Sequence, residues 1–241
     1  MLANTYMNID DLGFLRLLQL ADSALPIGAT AHSFGLETLA AEGQLTVAQL
    51  AVFLQDYLQE VGSFESFFCR RGHALSSLTD PSLFAAQWLT LNADLSAYKS
   101  ARESRTASAT LGRRLLQLVQ SLHDHAFLPL ALQSARDAGI ETHYSAAFGL
   151  VGSLLGIDDN ATTLAYLHQT MMSLISACQR MLPLGQSRAS ALLWQLKPTM
   201  LTVVQDSEAV AHQDHMPTLF TPLCELGSMR HPDLTTRLFI S

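Results

Sequence analysis

Charge is scarce in this chain. Only 15% of its 241 residues are Asp, Glu, Lys or Arg, against about 25% in an ordinary globular protein. A chain so poor in charge covers much of its surface with neutral or apolar side chains, and the physical outlets for these are a large core and partner interfaces. Lysine is nearly absent: Lys99 and Lys197 stand alone among 14 basic residues, the rest being Arg, which tolerates partial burial and makes forked contacts. With 21 acidic residues the net charge is −7, and the basic footprint of a general nucleic-acid binder is missing. Cysteine is limited to Cys69, Cys178 and Cys224. The odd number, the scatter and the lack of a C-x-x-C pair argue against a disulfide framework and fit a reducing cytoplasm. No membrane partner is expected either. The longest stretch free of Asp, Glu, Lys and Arg, residues 161–179, carries Thr162, Thr163, His168, Gln169, Thr170, Ser173 and Ser176, too many polar groups for a span. Residues 1–11 show no basic region followed by an apolar run, so no signal peptide is expected.

Catalytic motifs are missing as well. There is no G-x-x-x-x-G-K-[ST], and neither lysine follows a glycine, so nucleotide hydrolysis through a P-loop is excluded. No G-x-S-x-G elbow, H-E-x-x-H or G-x-G-x-x-G occurs. Strand-like alternation is almost absent, and internal repeats and low-complexity tracts are not found.

What remains is helical spacing almost throughout. Asp10 or Asp11 caps a first helix with Phe14, Leu17, Leu18 and Ala21 on one face. Gly43 closes a second helix, and Thr46 opens a third that Gly62-Ser63 bends. Asp80-Pro81 is a strong start signal. A long helix is expected over residues 98–122, and another, opened by Pro129, closes at Gly139. Ser145, Gly149 and Ser153 are four apart, a small-residue face that lets a second helix approach closely. Asp158 or Asp159 caps a helix reaching Met181, and two more follow over residues 187–196 and 198–212. From Asp214 the character changes, because Pro217, Pro222 and Pro232 break any long helix. The spacing predicts an all-α, single-domain bundle of about ten helices over residues 1–213, with residues 214–241 as a proline-containing interaction tail. Such a tail is disordered unless it docks on something.

The organising stretch is Leu20-Ala21-Asp22-Ser23-Ala24-Leu25-Pro26-Ile27-Gly28-Ala29-Thr30-Ala31-His32-Ser33-Phe34-Gly35-Leu36-Glu37. Pro26 ends the first helix, Gly28 permits the turn, and a second helix is expected to begin between Thr30 and Ser33. Asp22, Ser23, His32, Ser33 and Glu37 are five polar side chains in an apolar hairpin, and buried polar groups need partners. Asp22, Ser23 and His32 include the residue types of a hydrolase triad. Without an oxyanion turn or a nucleophile elbow, the structural reading is expected.

This stretch resembles the signature L-x-D-S-x-L-P-I-G-x-x-x-H-S-x-G-L-E of the urease accessory protein family UreF. Thr30 departs from it, standing where the family carries an aromatic residue. Further blocks resemble the same family: Arg105 with Gly112-Arg113-Arg114-Leu115-Leu116; His143-Tyr144 with Ala147-Phe148-Gly149; Leu182-Pro183-Leu184-Gly185-Gln186; and the terminus Ser228-Met229-Arg230-His231 with Arg237-Leu238-Phe239. The resemblance implies a cytoplasmic homodimer without enzymatic activity or a tightly bound cofactor. It implies an adaptor that bridges a GTPase, UreG, and a scaffold, UreD (also called UreH), on apo-urease during GTP-dependent nickel insertion, with nickel handled only transiently by the complex. The rival reading from the residues alone is an all-helical ligand-binding or adaptor protein unrelated to nickel.

Candidate partner contacts are Met229, Arg230, His231, Arg237, Leu238 and Phe239, because Arg beside apolar anchors is the composition of an interface hot spot. Asp22, Ser23, Pro26, Gly28, His32, Ser33, Gly35, Glu37, Arg113, Arg114, His143, Tyr144 and Gly149 are expected as structural or interface residues. Lys99, Arg102, Arg105, Arg113 and Arg114 form the one basic concentration, either a solvated helix face or a docking surface for an acidic partner. Metal candidates are weak. His212 and His215 are three apart beside Asp214, and His231 rides on the tail; the pair His123 and His125 could share an ion only in an irregular loop.

Overall fold

The structure is a computed structural model that describes residues 9–211 and 217–241. Among these residues it is all-α, with no strand, as the spacing predicts. The α-helices are α1 (Asp11–Leu20), α2 (Leu36–Ala41), α3 (Leu50–Tyr57), α4 (Ser63–Ala74), α5 (Pro81–Tyr98), α6 (Arg102–Leu122), α7 (Phe127–Ala138), α8 (Tyr144–Leu154), α9 (Asp159–Met181), α10 (Gln186–Ala211) and α11 (Pro222–Arg230). None of these helices is long and apolar enough to cross a membrane. All three cysteines are free.

The caps behave as their residue types dictate. Asp10 accepts from the Gly13 amide, Asp80 from Ser82 and Asp158 from Ala161, each satisfying a first-turn donor that the helix leaves open. The bend expected at Gly62-Ser63 is a π-helical turn, Leu58–Gly62, leading straight into α4.

The centre is the crossing of α4 and α8, and the small-residue face on α8 makes it possible. A methyl group built on Gly149 would overlap the Cys69 carbonyl oxygen, and one on Gly72 would overlap that of Ala146. The two backbones therefore touch, and glycine is required on both sides. Gly112 does the same for α6 against the carbonyls of Thr142 and His143. Around this crossing Phe64, Phe67, Phe68, Phe148 and Leu150 are fully buried. Arg70, only 4% exposed, fastens α4 to its neighbours. It donates to Ser207 Oγ at 2.9 Å, Val204 O at 2.6 Å and Asn160 Oδ1 at 2.7 Å, and pairs with Asp159.

Three local expectations are corrected. The second helix begins not at residues 30–33 but at Leu36, after a 3-10 turn (Ala29–Ala31) and two left-handed residues, Phe34 and Gly35. Residues 187–212 are not two helices: α10 runs through Pro198. The ring removes one backbone donor, and burial of Leu192, Leu196, Met200 and Val203 offsets that loss. On α1 the expected apolar face is split: Leu17 and Ala21 pack partly buried against the core, while Phe14 and Leu18 are 49% and 53% exposed.

Candidate functional site

The tail docks, and it docks on this chain. The interaction tail over residues 214–241, which the structure describes from residue 217, was expected to be disordered unless it docks on something. Instead α11, a 3-10 turn (His231–Asp233) and the final strand-free segment lie against α2, α6 and the N-terminal hairpin. Three of the hairpin's polar residues, His32, Ser33 and Glu37, receive it.

Glu37 is the hub. Its side chain is buried, and its carboxylate accepts from the Leu238 amide at 2.5 Å and the Phe239 amide at 3.2 Å. His231, with no exposed surface, places Nε2 2.8 Å from Glu37 Oε2 and Nδ1 2.7 Å from Glu103 Oε2. Each ring nitrogen thus faces a carboxylate oxygen. Glu103 also faces Arg237 at 3.8 Å, and Arg230 pairs with Glu42 at 2.9 Å. Phe239 is 5% exposed, with the Arg180 guanidinium 4.3 Å from its ring centroid. Arg180 also donates to the carbonyls of Thr30 at 2.9 Å and Leu238 at 3.3 Å. Thr30 is exposed, so the position that departs from the family pattern contributes its backbone here. Ile240 donates to Ala31 O, Ser33 donates its amide to Ser241 O, and His32 Nδ1 lies 2.7 Å from Ser241 Oγ. Burial, and secondarily the Arg114 charge, lowers the His32 pKa, so the ring stays neutral.

Gly35 explains the left-handed kink before α2. Its φ is +88°, and a Cβ there would sit 2.5 Å from Cys224 O, while one on Gly227 would sit 2.7 Å from Gly35 O. Glycine faces glycine, so α11 seats directly on the start of α2.

Other expected residues fall elsewhere. Asp22 caps its own turn by accepting from Ala24 N at 2.8 Å, and Ser23 lies near it, away from the tail. The five-residue polar cluster is thus split, with His32, Ser33 and Glu37 on the tail and Asp22 and Ser23 outside, which removes any triad. Pro26 is exposed. Gly28, at φ +86°, turns against Arg114, whose Nη1 donates to Ile27 O at 3.2 Å. Arg113 and Arg102 are exposed, while Lys99 pairs with Glu65 and Arg105 donates to Lys99 O. The basic concentration is therefore partly consumed inside the fold. His143 is fully buried between Ser96 Oγ at 2.8 Å and Ser108 Oγ at 3.1 Å, and burial, then Lys99 and Arg105, pushes its pKa down to about 3. Tyr144 donates to Gln169 Oε1 at 2.9 Å.

His212 and His215 lie outside the described residues. His231 has both nitrogens engaged. The rings of His123 and His125 stack 6.3 Å apart in the α6–α7 loop, and among the described residues no group of three His, Cys, Asp or Glu side chains could hold a metal. Sequence reasoning missed Glu103, Glu42 and Arg180 as tail partners.

Beside the seated tail runs an open groove of about 820 Å³, lined by Arg102, Arg114, His32, Met229, Pro232 and Ile240. Met229, Leu238 and Ile240 are 47%, 52% and 70% exposed. The fold and site thus define an all-helical protein whose distinctive surface is a latched C-terminal segment. The model of the UreF family matches residues 45–197, and the chain belongs to that family. Proteins named urease accessory protein UreF align along nearly its whole length. The one from Nostoc sp. (strain PCC 7120) is 33% identical over 97% of this chain and 98% of its own. That from Thermosynechococcus vestitus is 35% identical over 97% and 100%. That from Lachnoclostridium phytofermentans is 30% identical over 94% and 98%.

Proposed function

We propose that this chain is a non-catalytic adaptor of urease maturation. It acts in the cytoplasm as a homodimer and bridges the GTPase UreG and the scaffold UreD (UreH) on apo-urease, so that GTP hydrolysis by UreG is coupled to insertion of nickel. The observation that supports this reading is the family membership across nearly the full chain. The latched tail supports it secondarily: Met229, Leu238 and Ile240 are held out to solvent beside Arg230 and Arg237, a composition suited to a partner hot spot. Nickel is cargo of the assembly in this reading, not a resident cofactor of the chain.

The test is co-purification with UreD and UreG, joined to urease activation in cells lacking the native gene. Wild type should form the complex and restore activity, and Leu238→Asp with Met229→Asp should lose both while keeping helicity. Purified chain should neither bind nor hydrolyse GTP. Wild-type complex yield and activation from the double variant would remove the tail from the interface. Failure of the wild type to bind either partner would overturn the bridging role.

A further inference from the structure

A partly open pocket with about 90 Å³ of space lies beneath α11, and nothing in the adaptor role uses it. Its walls come chiefly from α6, α9 and α11 with the segment entering it, joined by the π-helical turn before α4 and single residues of α4 and α8, and they are mostly apolar, with Phe34, Leu174 and Leu219 among them. One end is polar and incompletely satisfied. Gln169, 1% exposed, spends one end of its amide on Tyr144 and leaves Nε2 without a partner. Ser173, one turn along the same helix face, leaves its hydroxyl unpartnered. Buried polar groups are usually paired, and of the nine buried side-chain atoms without a partner among the described residues these two line this one pocket, where a guest could meet both. Glu65 also lines it, but is neutralised by Lys99.

We propose that this cavity is a binding site for a small neutral molecule of the primary-amide class. Glu225 adds a second carboxylate to the lining, which disfavours an anion, and a cation offers no acceptor to Gln169 Nε2. The volume admits a body of three or four non-hydrogen atoms, since an engineered apolar cavity of roughly 150 Å³ is what accommodates benzene. Two adjacent unsatisfied groups, an amide end and a hydroxyl, match a guest that carries a donor and an acceptor on neighbouring atoms. An alcohol offers one oxygen, and an apolar gas offers none. A guest of this size binds at best in the upper micromolar to millimolar range. Because Leu219, Thr221 and Cys224 roof the cavity, filling it tightens the seat of α11 on the body.

The experiment titrates full-length protein with acetamide, following the side-chain amide resonances of Gln169 by NMR. Saturable millimolar shifts centred on Gln169 are expected, with a response at least fivefold weaker to propane at equal activity. Ser173→Ala should weaken acetamide about tenfold without unfolding the chain, and Ser173→Leu should fill the space and abolish the response. No saturable shift in the wild type, equal shifts in wild type and Ser173→Leu, or a crystal grown in acetamide that shows only water in the cavity would each overturn the proposal. None of these outcomes depends on whether the chain bridges UreG and UreD.

Discussion

Glu37→Gln isolates the latch. The substitution keeps the shape of the side chain and one carbonyl acceptor, but it removes the charge and replaces the second oxygen with a donor. In the native arrangement the carboxylate serves His231 Nε2 at 2.8 Å and the amides of Leu238 and Phe239 at 2.5 and 3.2 Å. A hydrogen bond to a charged group contributes about 1.5–3 kcal/mol, and a neutral one about 1. The variant forfeits the charge assistance on all three and faces a new N–H toward a donor. A loss of about 2–4 kcal/mol in tail docking follows, and 1.4 kcal/mol is a factor of ten in population. Native-state hydrogen exchange at Leu238 and Phe239 reads this directly. Protection there should fall by about 30- to 700-fold, while amides in α4 and α8 keep theirs, because the perturbation is local opening rather than global unfolding. Unchanged protection at both tail amides would refute the idea that Glu37 holds the segment.

Gly149→Ala drives a methyl into the Cys69 carbonyl; the helices must part by more than an ångström, at a cost of about 3 kcal/mol or more. Gly43→Ala, with open space around it but φ at +70°, should cost only about 1–2 kcal/mol, and urea midpoints compare the two. His143 takes up a proton with a pKa near 6.5 unfolded and about 3 folded. The unfolded chain therefore binds more protons between those values, and the stability present above pH 6.5 is lost as pH falls toward 3, by about 3–5 kcal/mol in full; urea unfolding at pH 7, 5 and 4 measures it, and His143→Gln should flatten the slope. Deleting residues 230–241 strips Glu37 and Glu103 of their partners and should lower the melting temperature by about 6–12 °C; an unchanged melting temperature would mean that the tail is bound too weakly to matter.

Local chemistry was legible because it is written in adjacent residues. Asp10, Asp80 and Asp158 cap helices as their positions imply, Gly28 takes the left-handed turn, and the Ser145–Gly149–Ser153 spacing names the face on which α4 packs. The start of α2 was not legible. Phe34 adopts φ 51° only because Gly35 must meet the backbone of α11, a contact made far along the chain. Pro198 misled for a related reason: local propensity favours a break, and burial of the helix on both sides overrides it. The site was half legible. Glu37 was singled out in one group, and His231 and Phe239 in another. No periodicity links a glutamate to a histidine 194 residues later, nor Arg180 to the ring of Phe239.

The latch changes what a partner would meet. A disordered tail would have to be ordered on binding, at about 1–2 kcal/mol per residue for the backbone alone. Here the fold has already met that cost, through Glu37, Glu103 and Arg180, before any partner arrives. The residues divide by direction. His231 and Phe239 turn inward and hold the segment, while Met229, Leu238 and Ile240 turn outward with about half or more of their surface in water. The chain bends at Leu238 and Phe239, leaving Leu238 and Ile240 exposed on either side of the buried Phe239. Under the proposed adaptor role, the buried half of the tail is structural and the exposed half is the contact. Sensitivity to mutation at Phe239 would then report preorganisation, and sensitivity at Leu238 would report binding. The two effects separate because only the first is accompanied by loss of amide protection in the free protein.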